Sequence, residues 1–468
     1  MITSNIEKLV PEIREVVILF CDVNAVNVDH NFTFLDGVFY NKIQISQGTV
    51  SSNATTKTFE YHDVPPKMTS ELEEKRYIKR YAKLSTYKAL SSLMDKVMPW
   101  GALTGIRPSK LAYQQLSSTG EFEKFFTDTM EVSKGKTELI KNIIDAQTGI
   151  YEIDDNNADF FAGIPFCPTR CKYCSFISND LRTASKLVEP YVDALCDEIK
   201  HAKQFVKKLR SVYIGGGTPV TLPIHLLEKV LKTIDYNGVE FTVEAGRPDC
   251  ITEESLKLLK DYSVTRICVN PQTFNDKTLE TIGRRHTAKD VIEKFELAKK
   301  YGFDINMDFI AGLTGESVED FIYSIDKAVE LSPENVTVHT LCLKKGSDLK
   351  NEQSRLPEEG LSEMVEYAHK TLSSAGYTPY YLYRQKYMAG NLENTGYAKK
   401  GKACVYNIDI MEEISNNVAC GANAVSKVVF PNENRIERYA NPKDVKTYID
   451  KLSTIKSEKE KLFLNKLK

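Results

Sequence analysis

The 468-residue chain carries almost no net charge, has no apolar run of membrane-spanning length, and lacks the paired cysteines and histidines that build a zinc site. Each absence removes a class of function. With 62 Lys+Arg against 64 Asp+Glu, the broad positive field of a nucleic-acid binder is missing. A membrane helix needs ~18 or more consecutive apolar residues, so no membrane span is expected. The start, MITSNIEKLVPEIREVVILF, lacks the basic-then-apolar order of a secretory leader. Ten cysteines without such a leader point to the reducing cytoplasm, where thiols act as ligands or core filler rather than in disulfides. Seven of them (Cys21, Cys196, Cys250, Cys268, Cys342, Cys404, Cys420) are scattered, mostly in apolar runs that suit a buried core thiol. The other three are crowded together.

What is present divides into three regions. Residues 1–155 read as a mixed α+β region, with strand-like EVVILFCDV and GVFYNKIQI followed by a charged helical stretch, ELEEKRYIKRYAKLSTYKALSSLMDKV. A polar run at Asp154, Asp155, Asn156 and Asn157 marks a boundary. Over residues 156–376, six short apolar runs each precede an amphipathic helical segment: FFAGIPF, SVYIGG, VEFTVEA, TRICVN, INMDFIAG and NVTVHT. Six β-then-α units predict a parallel sheet, either a partial (β/α)6 barrel or an open doubly wound sheet. Residues 377–468, with the Tyr-rich TPYYLYRQKYMAGN, a turn-rich stretch and a charged last helix, are expected as a lid or accessory domain.

The segment GIPFCPTRCKYCSF places Cys167, Cys171 and Cys174 in a C-x3-C-x2-C array within eight residues. Structural zinc wants four ligands, usually in two C-x2–4-C pairs, and no second pair or nearby H-x3–5-H exists. Three thiolates on a [4Fe–4S] cluster leave one iron open to an outside ligand. Gly215-Gly216-Gly217-Thr218-Pro219 then follows the second predicted strand, where a glycine run lets backbone approach a ligand closely. Glu244 and Asp308 are carboxylates inside apolar runs, costly to bury without a partner. A ribose diol would serve Glu244, as would an ordinary ion pair with Arg247. Gln272 and Arg284 could supply an amide and a planar cation to a second polar ligand. These residues fall at the C-terminal ends of the predicted strands, the active-site face of barrel folds.

The cysteine spacing, with the aromatic Tyr173 before the third thiol, resembles the radical S-adenosylmethionine (SAM) signature. IPFCPTRCKYC, GGGTP, the Glu of VEAGRPD, RICVNPQTFN, IGRRHT and NMDFIAGLTGE are similar to the oxygen-independent coproporphyrinogen III oxidases and their haem-chaperone relatives. PWGALTGIRPSKL and YLYRQKYMAGN resemble the branch with a long N-terminal extension. The resemblance implies an α/β fold with a radical SAM partial (β/α)6 barrel resembling a TIM barrel, and a [4Fe–4S] cluster on Cys167, Cys171 and Cys174. It implies a first SAM near Phe161, Tyr173, Gly216 and Glu244, and a second at Gly217, Thr218, Gln272, Arg284 and Asp308, so one or two SAM in all. The implied reaction turns two propionates of coproporphyrinogen III into vinyls, with electrons from a low-potential donor such as flavodoxin or ferredoxin, in a monomer. Arg384, Gln385 and Lys386, interleaved with tyrosines, are candidate partners for the tetrapyrrole's propionates. His286 and His339 are the candidate haem ligands for a chaperone, with a core or hydrogen-bonded histidine as the default for each. Two positions depart from the oxidase pattern: Phe161-Ala162-Gly163 replaces Tyr-x-His, and Phe176 stands where a fourth cysteine is usual.

Overall fold

The computed structural model describes all residues except 48–54, 66, 69, 106, 176–178, 344–346, 350–358, 386–387 and 465–468. The chain divides into two compact units. The first is Met1–Lys141 with the short pieces Arg384–Lys386 and Gly390–Leu392; the second holds the remainder.

The first unit contains β1 (Ile2–Ser4), α1 (Val10–Phe20), β2 (Val26–Leu35), β3 (Val38–Gln47), β4 (Thr55–Asp63), α2 (Glu71–Met94), α3 (Pro108–Thr119) and the start of α4 (Lys134–Ala146). Its sheet runs β1-β2-β3-β4, with β1 parallel to β2 and the other pairs antiparallel. EVVILF, expected as a strand, lies in α1 instead. Pro11 and Glu12 begin that helix favourably, and Ile13, Val16, Val17 and Phe20 bury one face at helical spacing. GVFYNKIQI does form a strand, and the charged stretch forms α2, capped by the Ser70 hydroxyl accepting from the Glu73 N–H.

In the second unit all six strand-then-helix pairs appear. β5 (Asn157–Ile164) opens a loop holding the two-residue strands β6 (Phe166–Cys167) and β7 (Asn179–Asp180), then α5 (Ser185–Ala202). There follow β8 (Lys208–Gly216) with α6 (Ile224–Ile234), β9 (Glu240–Gly246) with α7 (Glu253–Asp261), and β10 (Arg266–Val269) with α8 (Asp276–Thr281) and α9 (Ala288–Lys300). β11 (Asp304–Ala311) leads to α10 (Val318–Leu331), and β12 (Asn335–Thr340) to the helix Leu361–Ser374. Capping boxes start α7, α9 and α10, at Thr252/Ser255, Thr287/Asp290 and Ser317/Asp320, so the loops leading into these three helices end at defined points.

The strands β5-β8-β9-β10-β11-β12 are neighbours in that order, each parallel to the next. A doubly wound sheet would reverse order at a switch point. None occurs here, so right-handed crossovers put the helices on one face and leave the other facing inward, as in a barrel. The sheet does not close. The residues expected as an accessory region instead extend it at both edges. β13 (Thr378–Tyr383) and β14 (Asn394–Ala398) follow β12, while β15 (Asn416–Cys420), β16 (Val425–Phe430) and β17 (Arg435–Ala440) follow β5 on the other side. β15 is parallel to β5, pairing Val418 with Phe160 and Cys420 with Ala162. No helix among the described residues is long and apolar enough to cross a membrane.

Candidate active site

The cysteine loop leaves β5 at Ile164, and backbone hydrogen bonds fix its base. The Asn179 N–H donates to the Pro165 carbonyl (2.8 Å) and the Leu181 N–H to Cys167 (3.0 Å). On the other side, the Gly217 N–H donates to Ile164 (2.7 Å) and the Thr218 N–H to Phe166 (2.8 Å). A Cβ on Gly217 would lie 2.4 Å from the Phe166 carbonyl oxygen, so this glycine is required by packing before any ligand is considered. The buried Thr218 hydroxyl sits 3.5 Å from Cys167 Sγ.

Farther along, the Lys172 N–H donates to the Ile282 carbonyl (3.1 Å), and the Cys174 N–H donates to Cys171 (3.0 Å). Arg284, buried, donates to the Tyr173 hydroxyl and to the Asn270 carbonyl, both at 3.0 Å, while its Nε has no partner among the described residues. Burial pushes the Tyr173 hydroxyl's pKa up, so it stays a neutral acceptor for the arginine. Arg247, on sequence a candidate ion-pair partner for Glu244, reaches the loop instead. Its Nη1 donates to Thr169 Oγ1 (2.7 Å) and lies 3.9 Å from Cys171 Sγ, and its other edge forks onto Asp249.

None of the ten cysteines is in a disulfide. Among the described residues no three His, Cys, Asp or Glu side chains converge as ligands of one ion do. A [4Fe–4S] cluster does not ask for that, because each thiolate binds a different iron. The donor set fits such a cluster: three thiols on one pinned loop, flanked by a hydroxyl and two guanidinium groups. Phe176 lies outside the described residues.

Glu244 projects from β9 beside the glycine run. Its Oε1 accepts from the Tyr213 hydroxyl (2.7 Å) and its Oε2 from the Gly216 N–H (3.2 Å). Gly216 holds φ +109°, and a Cβ on Gly215 would come within 2.6 Å of the carboxylate. Burial raises the Glu244 pKa, opposed by the Tyr213 hydrogen bond. Phe161, Tyr213 and Tyr406 lie nearly parallel around this carboxylate, with the Tyr213 and Tyr406 rings 4.4 Å apart.

A second polar group forms at β10 to β12. Asp308 accepts from Asn270 Nδ2 (2.8 Å) and Asn306 Nδ2 (2.7 Å), with His339 Nε2 3.9 Å away. Burial alone would raise its pKa, but His339 and then Asn306 bring it below the ordinary carboxylate value. Gln272 holds φ +70°, unusual for a residue with a side chain, and its N–H donates to the Asp308 carbonyl (2.9 Å). His339 Nδ1 is 3.4 Å from the Tyr383 hydroxyl. His286 is buried, its Nδ1 3.7 Å from Asp249.

Arg384, expected to meet propionates, is committed elsewhere. It is buried in the first unit, its guanidinium donating to the Leu103 carbonyl and to Asn391 and stacking 5.0 Å from the Trp100 ring centre. Gln385 is half-buried, and Lys386 lies outside the described residues. The sequence motifs around Trp100 and Arg384 are thus two halves of one constellation.

Comparison with known proteins places the chain. The Radical SAM superfamily profile matches residues 162–328, which contain all three cysteines and the strands from β8 to β11. The oxygen-independent coproporphyrinogen-III oxidase-like protein HemZ of Bacillus subtilis is 37% identical over 402 residues, covering 81% of this chain and 79% of that protein. The haem chaperone HemW of Lactococcus lactis is 37% identical over 228 residues, covering 46% of this chain and 59% of that protein. Among solved structures, coproporphyrinogen III oxidase HemN of Escherichia coli superposes with a TM-score of 0.52 at 20% identity, covering 66% of this chain and 72% of that one, a likeness of fold. The chain belongs to the radical SAM family of oxygen-independent coproporphyrinogen III oxidase-like proteins, in the branch with a long N-terminal extension, and membership implies a [4Fe–4S] cluster and SAM.

Proposed function

We propose that this chain catalyses oxidative decarboxylation of two propionate side chains of coproporphyrinogen III, giving protoporphyrinogen IX. The observation that carries the reading is the 81% match to HemZ, longer than residues 142–468 alone could supply. When bound, the cluster supplies one electron, drawn from a low-potential donor such as flavodoxin or ferredoxin, that cleaves SAM to methionine and the 5′-deoxyadenosyl radical. With SAM so cleaved, each propionate would give up a β-hydrogen atom, CO2 and one further electron to an acceptor, leaving the vinyl group.

The chain's own residues bind and orient. Glu244, kept as an acceptor by Tyr213 and Gly216, suits the ribose hydroxyls of SAM. Gly216, Gly217 and Thr218 offer backbone at the edge of the cysteine loop, and Phe161 and Tyr173 offer flat aromatic surface. Asp308, Gln272 and Arg284 suit a second polar ligand, where a second SAM is the family expectation. Tyr383 and His339 border that group from β13 and β12, where a propionate would find hydrogen-bond donors.

The haem-chaperone reading is the alternative, favoured by the HemW relatives. His339 is its best haem ligand, because His286 is enclosed. One experiment separates the readings: the anaerobically reconstituted protein is incubated with SAM, a reductant and coproporphyrinogen III, and vinyl products are followed by mass spectrometry. Mono- and divinyl products with stoichiometric 5′-deoxyadenosine are expected. SAM cleavage without them, together with stable haem binding lost in His339→Ala, would replace the oxidase by the chaperone.

A further inference from the structure

Arg247 is a buried cation that neither the binding of SAM nor that of substrate employs. It follows Gly246, whose φ of +60° turns the chain at the end of β9, and the Arg247 N–H donates back to Ala245 (2.6 Å). That tight reversal directs the side chain at the cysteine loop rather than along the strand. Arg247 is 4% exposed as a residue, and its guanidinium is engaged on both edges. Nε and Nη2 make a two-point fork with Asp249, at 3.1 and 2.8 Å. Nη1 donates to the carbonyl (3.2 Å) and hydroxyl (2.7 Å) of Thr169 and approaches Cys171 Sγ at 3.9 Å.

A plain clamp between β9 and the loop would need only the Thr169 contacts. The fork does more, because it removes the rotational freedom of a planar group and fixes a positive edge on one thiol. Cys171 is itself buried, so little solvent screens the charge.

Net charge and hydrogen bonds to the ligand sulfurs are among the factors that set the potential of an iron–sulfur cluster. We propose that Arg247 is a positioning residue that raises the cluster's reduction potential through Cys171, and that Asp249 both aims it and tempers its charge. Reduction adds a negative charge beside the guanidinium, which therefore favours the reduced state; the Asp249 carboxylate opposes it. The two residues thus carry effects of opposite sign on one measurable quantity. This rests on the cluster reading of the cysteine loop.

The test is a redox titration, followed by electron paramagnetic resonance, of anaerobically reconstituted full-length protein whose iron and sulfide content has been measured. Arg247→Met should lower the midpoint potential by at least a tenfold change in the one-electron equilibrium constant, about 59 mV. Arg247→Lys, which keeps charge and loses the fork, should fall between it and wild type. Asp249→Asn should move the potential the other way. A cluster-loaded Arg247→Met with an unchanged or higher potential overturns the proposal. If that variant fails to hold iron and sulfide, Asp249→Asn decides, and an unshifted or lower potential there also overturns it. A wild-type protein that takes up no iron and sulfide defeats the cluster reading itself, a result distinct from either of these.

Discussion

Glu244 illustrates how much one side chain depends on neighbours that a linear reading passes over. The ion pair with Arg247 that sequence allows is not formed; Tyr213 and the Gly216 N–H hold the carboxylate instead. Burial pushes its pKa up and these two donors pull it back. A carboxylate accepts two ribose hydroxyls better than a carboxylic acid does, so SAM affinity should increase as pH rises through the Glu244 titration. Tyr213→Phe removes a donor to the ionised form and should displace that rise to higher pH, with weaker binding at neutrality. Equilibrium dialysis of SAM across pH on the reconstituted variant measures this, and a displacement to lower pH would contradict the assignment. Tyr213 was detectable in principle: the strand period of two puts it on the same face as Gly215, beside a carboxylate on the next strand. Arg247 was not, because its direction depends on the reversal after Gly246.

At the scale of elements, the inward-facing strand ends carry the chemistry, while the other ends carry a different charge problem. Asp159 of β5 is fully buried and accepts from Ser211 Oγ of β8 at 2.5 Å. Asp409, held by Arg210 at 2.5 Å, adds a second carboxyl nearby. Burial first, then Asp409, raise the Asp159 pKa well above its ordinary value. A carboxyl whose folded pKa is raised binds more protons folded than unfolded, so its contribution to stability falls as pH rises. Asp409, pushed up to about 6 mainly by burial, has the same sign. Asp159→Asn should therefore retain the fold and gain stability over wild type at pH 8, with the gain shrinking toward pH 4, as thermal melts at the two pH values would record. A loss at pH 8 would mean that the ionised form is the native one. The six βα units were legible because amphipathic helices alternate with apolar strands. EVVILF was not, since a short β-branched run fits a strand or a buried helix face equally well until its capping residues are weighed.

Over the whole second unit, one buried ion pair joins distant parts of the chain. Glu198 of α5 receives the Gly421 N–H (2.7 Å), Asn441 Nδ2 (2.8 Å), the Tyr448 hydroxyl (2.6 Å) and Lys459 Nζ from the helix Leu452–Leu464. Both charged side chains are essentially inaccessible. Lys459→Met should cost about 3–5 kcal/mol by stranding the carboxylate. Much of that loss should return in the Glu198→Gln, Lys459→Met double variant, and denaturant titrations of Lys459→Met, Glu198→Gln and the double variant read the difference. Single-variant costs that simply add in the double variant would show that the pair is not coupled. None of these contacts was legible, because their sequence separations run from 223 to 261 residues and no local pattern marks them. The same is true of β15. Its position beside β5 has a consequence for how the protein is made. The strand from which the cysteine loop hangs leaves the ribosome roughly 250 residues before its outer neighbour, an interval of about 10–50 s at ~5–20 residues per second. Until then β5 presents a bare edge, so the nascent chain has an interval in which its cysteine loop is synthesised but its supporting sheet is incomplete.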